Sequence, residues 1–225
     1  MNFSAYVAQV ANSDVRFTGL LLVLVNLLPW GGVFFWDWDV GNIVMLYWAE
    51  NLIIGFWVLV KILLAAPLGG LFLAAFFLIH YGGFCAGHGV LASQLLGLPI
   101  EDPMGELSWP FFFVFVEMLY NITVAVFSAA STPWLWCFYA VAFSHTISFV
   151  YHRLLRREDV DKQPRELMSQ PYGRIIVMHL TVLLGAFAIE ALGAPIALLA
   201  ILVATKTVID LNAHRKAHAK AEVQE

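Results

Sequence analysis

Charged residues are scarce in this 225-residue chain, where Asp, Glu, Lys and Arg together make up only 12%. Soluble domains carry about 25%, so the composition excludes an ordinary water-facing globular domain. The formal net charge of −4 is small and gives no reason to expect a nucleic-acid partner. Strict alternation of apolar and polar residues is also missing, which excludes strands as membrane-crossing elements.

Cysteine is nearly absent, with Cys85 and Cys137 both lying inside apolar runs. This excludes a secreted disulfide scaffold and indicates reduced thiols packed as small apolar side chains. The first sixteen residues, MNFSAYVAQVANSDVR, lack the basic region of a cleaved signal peptide. We therefore interpret the first hydrophobic run as retained.

Hydrophobic residues make up 61% of the chain, and they form runs long enough to cross a membrane. A hydrocarbon core of about 30 Å needs about 20 apolar residues in a helix, and backbone groups in lipid must pair internally. We predict an all-α, polytopic membrane bundle forming one integral membrane domain, 1–225. Its seven spans are predicted at 17–36, 42–65, 68–96, 109–129, 133–153, 171–191 and 194–214. Merging the last two would give six.

Basic residues concentrate in two segments. If the seven spans cross the membrane in alternating directions, both segments lie on the same side. These are the loop 154–170 and the tail 215–225. The excess of Lys and Arg predicts that this side is cytoplasmic, which puts the N-terminus outside and Lys61 on the outer side. The expected location is the bacterial inner membrane, with membrane lipid as the surrounding partner.

Ionisable residues occur inside the predicted spans more often than packing alone explains. Each costs roughly 2.5–3.5 kcal/mol at mid-span and usually faces the bundle interior. Counted from the expected cytoplasmic helix ends, five of them fall at one depth of about 12 Å. These five are Glu50, His88, Glu117, His145 and His179, and the last span adds Lys206 and Asp210 nearby.

Imidazoles and carboxylates at one depth predict a metal centre. His88, His179 and Asp210 are the expected ligands of a divalent ion, zinc first, with iron or manganese as alternatives. His80 or His145 would complete the set, and His214 begins an H-x-x-x-H pair on the last helix. Glu50 or Glu117 would act as general base. Hydrogen bonding of these histidines between helices is the alternative explanation.

The stretch HYGGFCAGHG, residues 80–89, combines two histidines with four glycines. His80 and His88 are eight residues apart, so they share one helix face. Glycines 82, 83, 87 and 89 remove side chains and are expected to let a neighbouring helix approach closely. The stretch therefore predicts a closely packed wall of a polar pocket.

Four segments, LYWAENLIIG, FFLIHYGGFCAGHG, PYGRIIVMHL and TKTVIDLNAH, resemble recurring segments of a family of small bacterial multi-pass proteins of unknown function. A looser similarity is to the alkaline ceramidase and adiponectin-receptor superfamily of seven-helix metal hydrolases. That similarity implies zinc held in the cytoplasmic half by histidines, including an H-x-x-x-H that His214 and His218 match in spacing. The two residues lie at or beyond the helix end, and the expected serine and aspartate partners are missing.

Three functional classes follow from these residues, besides a purely structural polar layer. The first is a metal-dependent intramembrane hydrolase acting on a lipid or membrane-embedded substrate. The second is an electron-transfer protein in which His88 and His179 or His145 hold haem. The third is a proton or metal-ion transporter, although the sequence has no internal repeat. Substrate, metal identity and oligomeric state stay open.

Overall fold

The computed structural model describes residues 31, 35–36, 38, 40–66, 68–95, 100, 113–173, 175–176 and 180. Within these ranges every regular element is a helix, which confirms the all-α prediction. The elements are α1 (Val40–Ala65), α2 (Gly70–Leu95), α3 (Phe113–Ala129), α4 (Thr132–Phe149), a π-helical continuation of α4 (Val150–Leu155), and α5 (Pro164–Ser169). The first four match the spans predicted from 42 to 153. The seven-span count stays a prediction, because the other three spans lie largely outside the described residues.

Helices α1 and α2 are the longest of the described elements and contain almost no charge. Each has 26 residues, or about 39 Å at 1.5 Å per residue. Pro67 follows α1 closely and restricts the residue before it to non-helical backbone, which ends the helix. Both helices are long and apolar enough to cross a membrane, whereas α3 is a shorter apolar helix.

Large apolar side chains on the bundle surface agree with a lipid environment. Phe72 is 81% exposed, Trp136 69% and Phe143 67%. Soluble monomers rarely expose contiguous apolar patches of this kind. The exposed aromatic residues therefore support the prediction of a membrane protein.

Two glycines bring α1 and α2 into close contact. A methyl group on Gly89 would lie 2.8 Å from the indole nitrogen of Trp48, and one on Gly55 would lie 2.5 Å from the Tyr81 ring. Trp48 then donates its indole N–H to the carbonyl of Cys85 at 2.8 Å. The expected close approach at Gly89 is thus present, and it fixes the register of the two helices.

The other glycines of the stretch differ from one another. Gly83 faces the ring of Phe115 on α3, with a distance of 3.3 Å from an added methyl group, and Gly82 lies in ordinary contact with α3. Gly87 is exposed, and none of the described residues lies within 4 Å of a methyl group added there. The close approach predicted at Gly87 is therefore wrong, because this position faces a groove rather than a helix.

Helix α4 begins with a local cap and ends with a change of helical pitch. The Ser131 hydroxyl accepts the N–H of Trp134 at 3.4 Å, and a proline stands within the first turn, both typical of a helix start. At the far end, Arg156 donates its N–H to the Tyr151 carbonyl at 2.9 Å, an i−5 bond. The resulting π-turn widens the helix where it reaches the basic segment.

Helices α1 and α4 run in the same direction. The Trp134 indole donates to the Asn42 carbonyl at 2.9 Å near the start of both helices. At the other end the Lys61 Nζ lies 3.1 Å from Oδ2 of Asp159. The prediction that Lys61 and the loop 154–170 lie on opposite sides is therefore wrong.

The reason for this correction is the direction of α3. Strict alternation assumes that α3 reverses α2, but Gly83 faces Phe115 and Gly89 faces Ile122, so residue numbers rise together along both helices. Helix α3 therefore begins beside the middle of α2 and runs parallel to it. As a result α4, which reverses α3, is parallel to α1.

Candidate functional site

Glu50 on α1 and His145 on α4 form a pair in the middle of the bundle. Oε1 of Glu50 lies 3.0 Å from Nε2 of His145, and the side chains are 8% and 25% exposed. An ionised carboxylate can only accept a hydrogen bond, so Nε2 carries the proton and the lone pair of the neutral ring is at Nδ1. The pair confirms that two members of the predicted polar layer lie together.

Packing on both sides holds this pair in position. Toward the basic end, Trp57 of α1 stacks on Phe149 of α4 with ring centroids 4.3 Å apart. On the α2 side, the buried Tyr81 donates its hydroxyl to the carbonyl of Asn51 at 3.0 Å. The pair is consequently enclosed by aromatic side chains that fix α1 against its neighbours.

His88 on α2 is buried, and a carbonyl group of its own helix determines which ring nitrogen carries the proton. Its Nδ1 lies 2.7 Å from the carbonyl oxygen of Phe84. A carbonyl can only accept, so Nδ1 carries the proton and Nε2 holds the lone pair in the neutral ring. This tautomer presents Nε2 away from the helix axis as a possible metal ligand.

His80 lies two turns earlier on the same face of α2 and is exposed. Its Nδ1 lies 2.7 Å from the hydroxyl of Tyr172, whose ring also meets Phe84 edge to face. Tyr172 was not among the predicted site residues, although it belongs to the quoted segment PYGRIIVMHL. The sequence offered no distance signal that would connect it with His80.

A groove of about 460 Å³ runs along this face of α2, with one wall from α3. Its lining includes His80, His88, Gly83, Gly87 and Phe115. The lining is otherwise apolar, so the two imidazoles are the ionisable groups along its length. The predicted pocket wall is therefore present on α2, but the pocket is mainly apolar instead of polar. The Glu50–His145 pair is not part of its lining.

The depth of the predicted layer can be measured along α1 from each end of that helix. Asn42 and Trp134 meet at one end of α1 and α4, and from their level Glu50 is about 12 Å along its helix. From Lys61, near the basic end, Glu50 is about 17 Å away along the same helix. On α1 the expected depth of about 12 Å below the basic side is therefore wrong, because this helix runs opposite to the predicted direction. On α4 the expected count stands, since His145 precedes Arg153 by eight residues, or about 12 Å. Glu117 lies partly buried on α3.

Three of the six predicted metal ligands, His80, His88 and His145, belong to the described residues. Among the described residues, no group of three or more His, Cys, Asp or Glu side chains could hold a metal ion. Three of the predicted ligands, His179, Asp210 and His214, lie outside the described residues. The described part of the chain therefore contributes at most two ligands from any one place.

The basic end carries an ion-pair network that sequence analysis did not identify. Asp159 pairs with both Lys61 and Lys162 and adopts a left-handed backbone with φ 64°. Burial disfavours the charged carboxylate, but hydrogen bonds and attraction from the two lysines outweigh it, so the pKa of Asp159 falls below its usual 3.8. This network fixes the loop after α4 against the end of α1.

Comparison with known families assigns the chain. A family of unknown function, DUF6498, matches residues 9–225, so the chain belongs to this family. Comparisons with curated proteins and with solved structures give no match.

Proposed function

We propose that this protein is an integral membrane metalloprotein and, most simply, a hydrolase acting on a lipid or membrane-embedded substrate. One observation carries the proposal: each histidine of α2 and of α4 has one ring nitrogen held by an oxygen. The partners are the Glu50 carboxylate, the Phe84 carbonyl and the Tyr172 hydroxyl. Histidines that bind metal are typically oriented in this way by a second partner.

The proposal divides the ligands between two parts of the chain. His145 and His88 are the candidates on the described helices, and His80 is a further one. His179, Asp210 and His214 are the candidates from the last two predicted spans. A bound divalent ion would lower the pKa of its water toward 7 and supply the nucleophile.

The two glutamates take different roles in this proposal. Glu50 hydrogen-bonds His145 and therefore orients a ligand, which replaces the role of general base expected for it. Glu117 is then the candidate base that removes a proton from the attacking water. The apolar groove beside His80 and His88 suits an acyl chain, which supports a lipid as substrate.

The proposed location is the bacterial inner membrane, with the basic end in the cytoplasm. Lys61 and the loop 154–170 lie at that end, so the positive-inside rule assigns it to the cytoplasmic face. The start of α1 then lies at the outer face. A single crossing by 17–36 would place the N-terminus inside, the reverse of the orientation expected from strict alternation.

Metal content tests the proposal directly. We expect purified protein to contain near-stoichiometric zinc, iron or manganese by elemental analysis, and the ligand variants His145→Ala and His88→Ala show which imidazole holds it. Glu50→Gln should weaken metal affinity about 10–100-fold, as loss of an orienting carboxylate does. His152→Ala is the matched control, since this histidine pairs with Glu158 at the helix end.

A proton relay is the second candidate, favoured by the Glu50–His145 contact itself. Buried carboxylate and imidazole pairs mark proton pathways in membrane proteins. Metal-free protein in liposomes would then carry protons across the bilayer, and Glu50→Gln would stop the flux. An absorption spectrum of the same sample tests for haem. A Soret band would contradict both proposals and indicate electron transfer instead.

A further inference from the structure

Arg153 is a buried cation at the basic end of the bundle. The residue is 6% exposed, and its Nη1 has no partner among the described residues. A guanidinium carries five N–H donors, and a buried charge left uncompensated is strongly destabilising. The position therefore calls for an anion.

The carboxylates nearest in sequence are already engaged. Glu158 holds Nδ1 of His152 with both oxygens at 3.1 Å. Asp159 holds Lys61 and Lys162. Neither carboxylate is bonded to Arg153, so this part of the chain leaves the guanidinium charge unneutralised.

The helix register places Arg153 toward the basic end of the contact between α1 and α4. His145, Phe149 and Arg153 follow one another at intervals of four and share one face of α4 and its π-helical continuation. The first two meet Glu50 and Trp57 of α1. One further turn of α1 leads to Lys61, whose charge Asp159 already balances.

The surface beside Arg153 combines apolar and basic side chains. Leu154 is 53% and Leu155 71% exposed, and Arg156 and Arg157 follow them directly and are also exposed. Apolar residues next to arginines are typical of the boundary between hydrocarbon and headgroups. An anion supplied at this depth is a lipid headgroup.

We propose that Arg153 binds the phosphate group of an anionic membrane phospholipid. The guanidinium donates two N–H groups to phosphate oxygens in bidentate geometry, while Leu154 and Leu155 contact the adjoining acyl chains. This binding site is separate from the proposed metal centre and does not depend on it.

The test measures lipid binding to the full-length protein in a neutral detergent. A fluorescent phosphatidylglycerol is titrated against wild type, Arg153→Met and the exposed control Arg157→Gln. We expect Arg153→Met to bind roughly ten-fold more weakly or worse, with Arg157→Gln close to wild type. Arg153→Lys keeps the charge but loses bidentate geometry and should fall between them.

A stability measurement shows whether weaker lipid binding by Arg153→Met results from a folding defect. In a maltoside detergent, which carries no phosphate, the Arg153→Met protein should be at least as stable as wild type, because an unpaired buried charge has been removed. Adding phosphatidylglycerol should raise the Tm of wild type only. Equal lipid binding by wild type and Arg153→Met, or an unfolded Arg153→Met protein in the maltoside, contradicts the proposal. Protection by inorganic phosphate alone, equal to that by the lipid, overturns the assignment to a lipid.

Discussion

Glu50 and His145 are 95 positions apart in sequence and meet with 3.0 Å between Oε1 and Nε2. Their contact connects α1 to α4 at the middle of two parallel helices. A buried carboxylate and imidazole in an apolar bundle stabilise each other. Removing one of them would leave the other buried without a partner in a low-dielectric setting, which is destabilising. The pair is thus both a structural link and the centre of the proposed function.

A double-mutant cycle should detect this coupling. We expect Glu50→Gln and His145→Gln each to destabilise the protein, and the double variant to be less damaging than the sum. The coupling free energy should be about 0.5–3 kcal/mol, measured by unfolding in detergent. Strict additivity would mean that the two side chains do not interact in the folded protein.

Two glycines on α2 should respond in opposite ways to the same substitution. Gly89→Ala places a methyl group 2.8 Å from the Trp48 indole nitrogen, so it should destabilise by about 1–3 kcal/mol. Gly87→Ala meets open space and should stabilise by about 0.5–1 kcal/mol through helix propensity. Thermal unfolding compares the two, and a similar loss in both would contradict the packing described for α2.

Acid should weaken the attachment of the loop to α1. The pKa of Asp159 is lowered in the folded protein, so its contribution is present above the unfolded pKa of about 3.9. That contribution is lost as pH falls through the lower folded value. Asp159→Asn, which tolerates the left-handed backbone, should show a smaller loss of stability between neutral and acidic pH.

The control for this pH experiment is the exposed Asp161. Asp161→Asn should follow the pH profile of the wild type, since its carboxylate is exposed and exposed ion pairs contribute little. An unchanged profile in Asp159→Asn would show that the ion pair with Lys61 adds nothing to stability.

The end of the π-helix offers a substitution that should stabilise the protein. Arg157 has φ 55°, and Glu158 donates its N–H to the His152 carbonyl at 2.8 Å, the pattern of a helix C-terminus where glycine is favoured. Arg157→Gly should raise stability by about 0.5–1 kcal/mol. Arg156→Gly, at a right-handed position with φ −83°, should lower it. The reverse order in denaturant unfolding would contradict this backbone geometry.

Sequence reasoning located the helices well because their signals are local. The span predicted at 42–65 corresponds to α1 at Val40–Ala65, and the span at 68–96 to α2 at Gly70–Leu95. Continuous apolar runs and flanking Pro or Gly determine such limits. The same reasoning failed on helix direction, because hydropathy does not show that α3 begins part of the way along α2.

Part of the candidate site could also be predicted, because the spacing of residues along one helix is a local signal. Spacing placed His80 and His88 on one face, and both line the groove. Depth counting brought Glu50 and His145 to one level, although on α1 the depth was counted from the wrong end of the helix. No local pattern showed that Arg153 is buried, since the basic segment around it is typical of a solvated loop.

Elemental analysis of the purified protein tests the central claim most directly. The account predicts near one equivalent of zinc, iron or manganese in wild type, unchanged in His152→Ala and lost in His145→Ala or His88→Ala. Folding of each variant is checked by its thermal transition, so that metal loss is separated from unfolding. Wild-type protein that folds and contains no metal, or ligand variants that keep full metal content, would contradict the proposed centre.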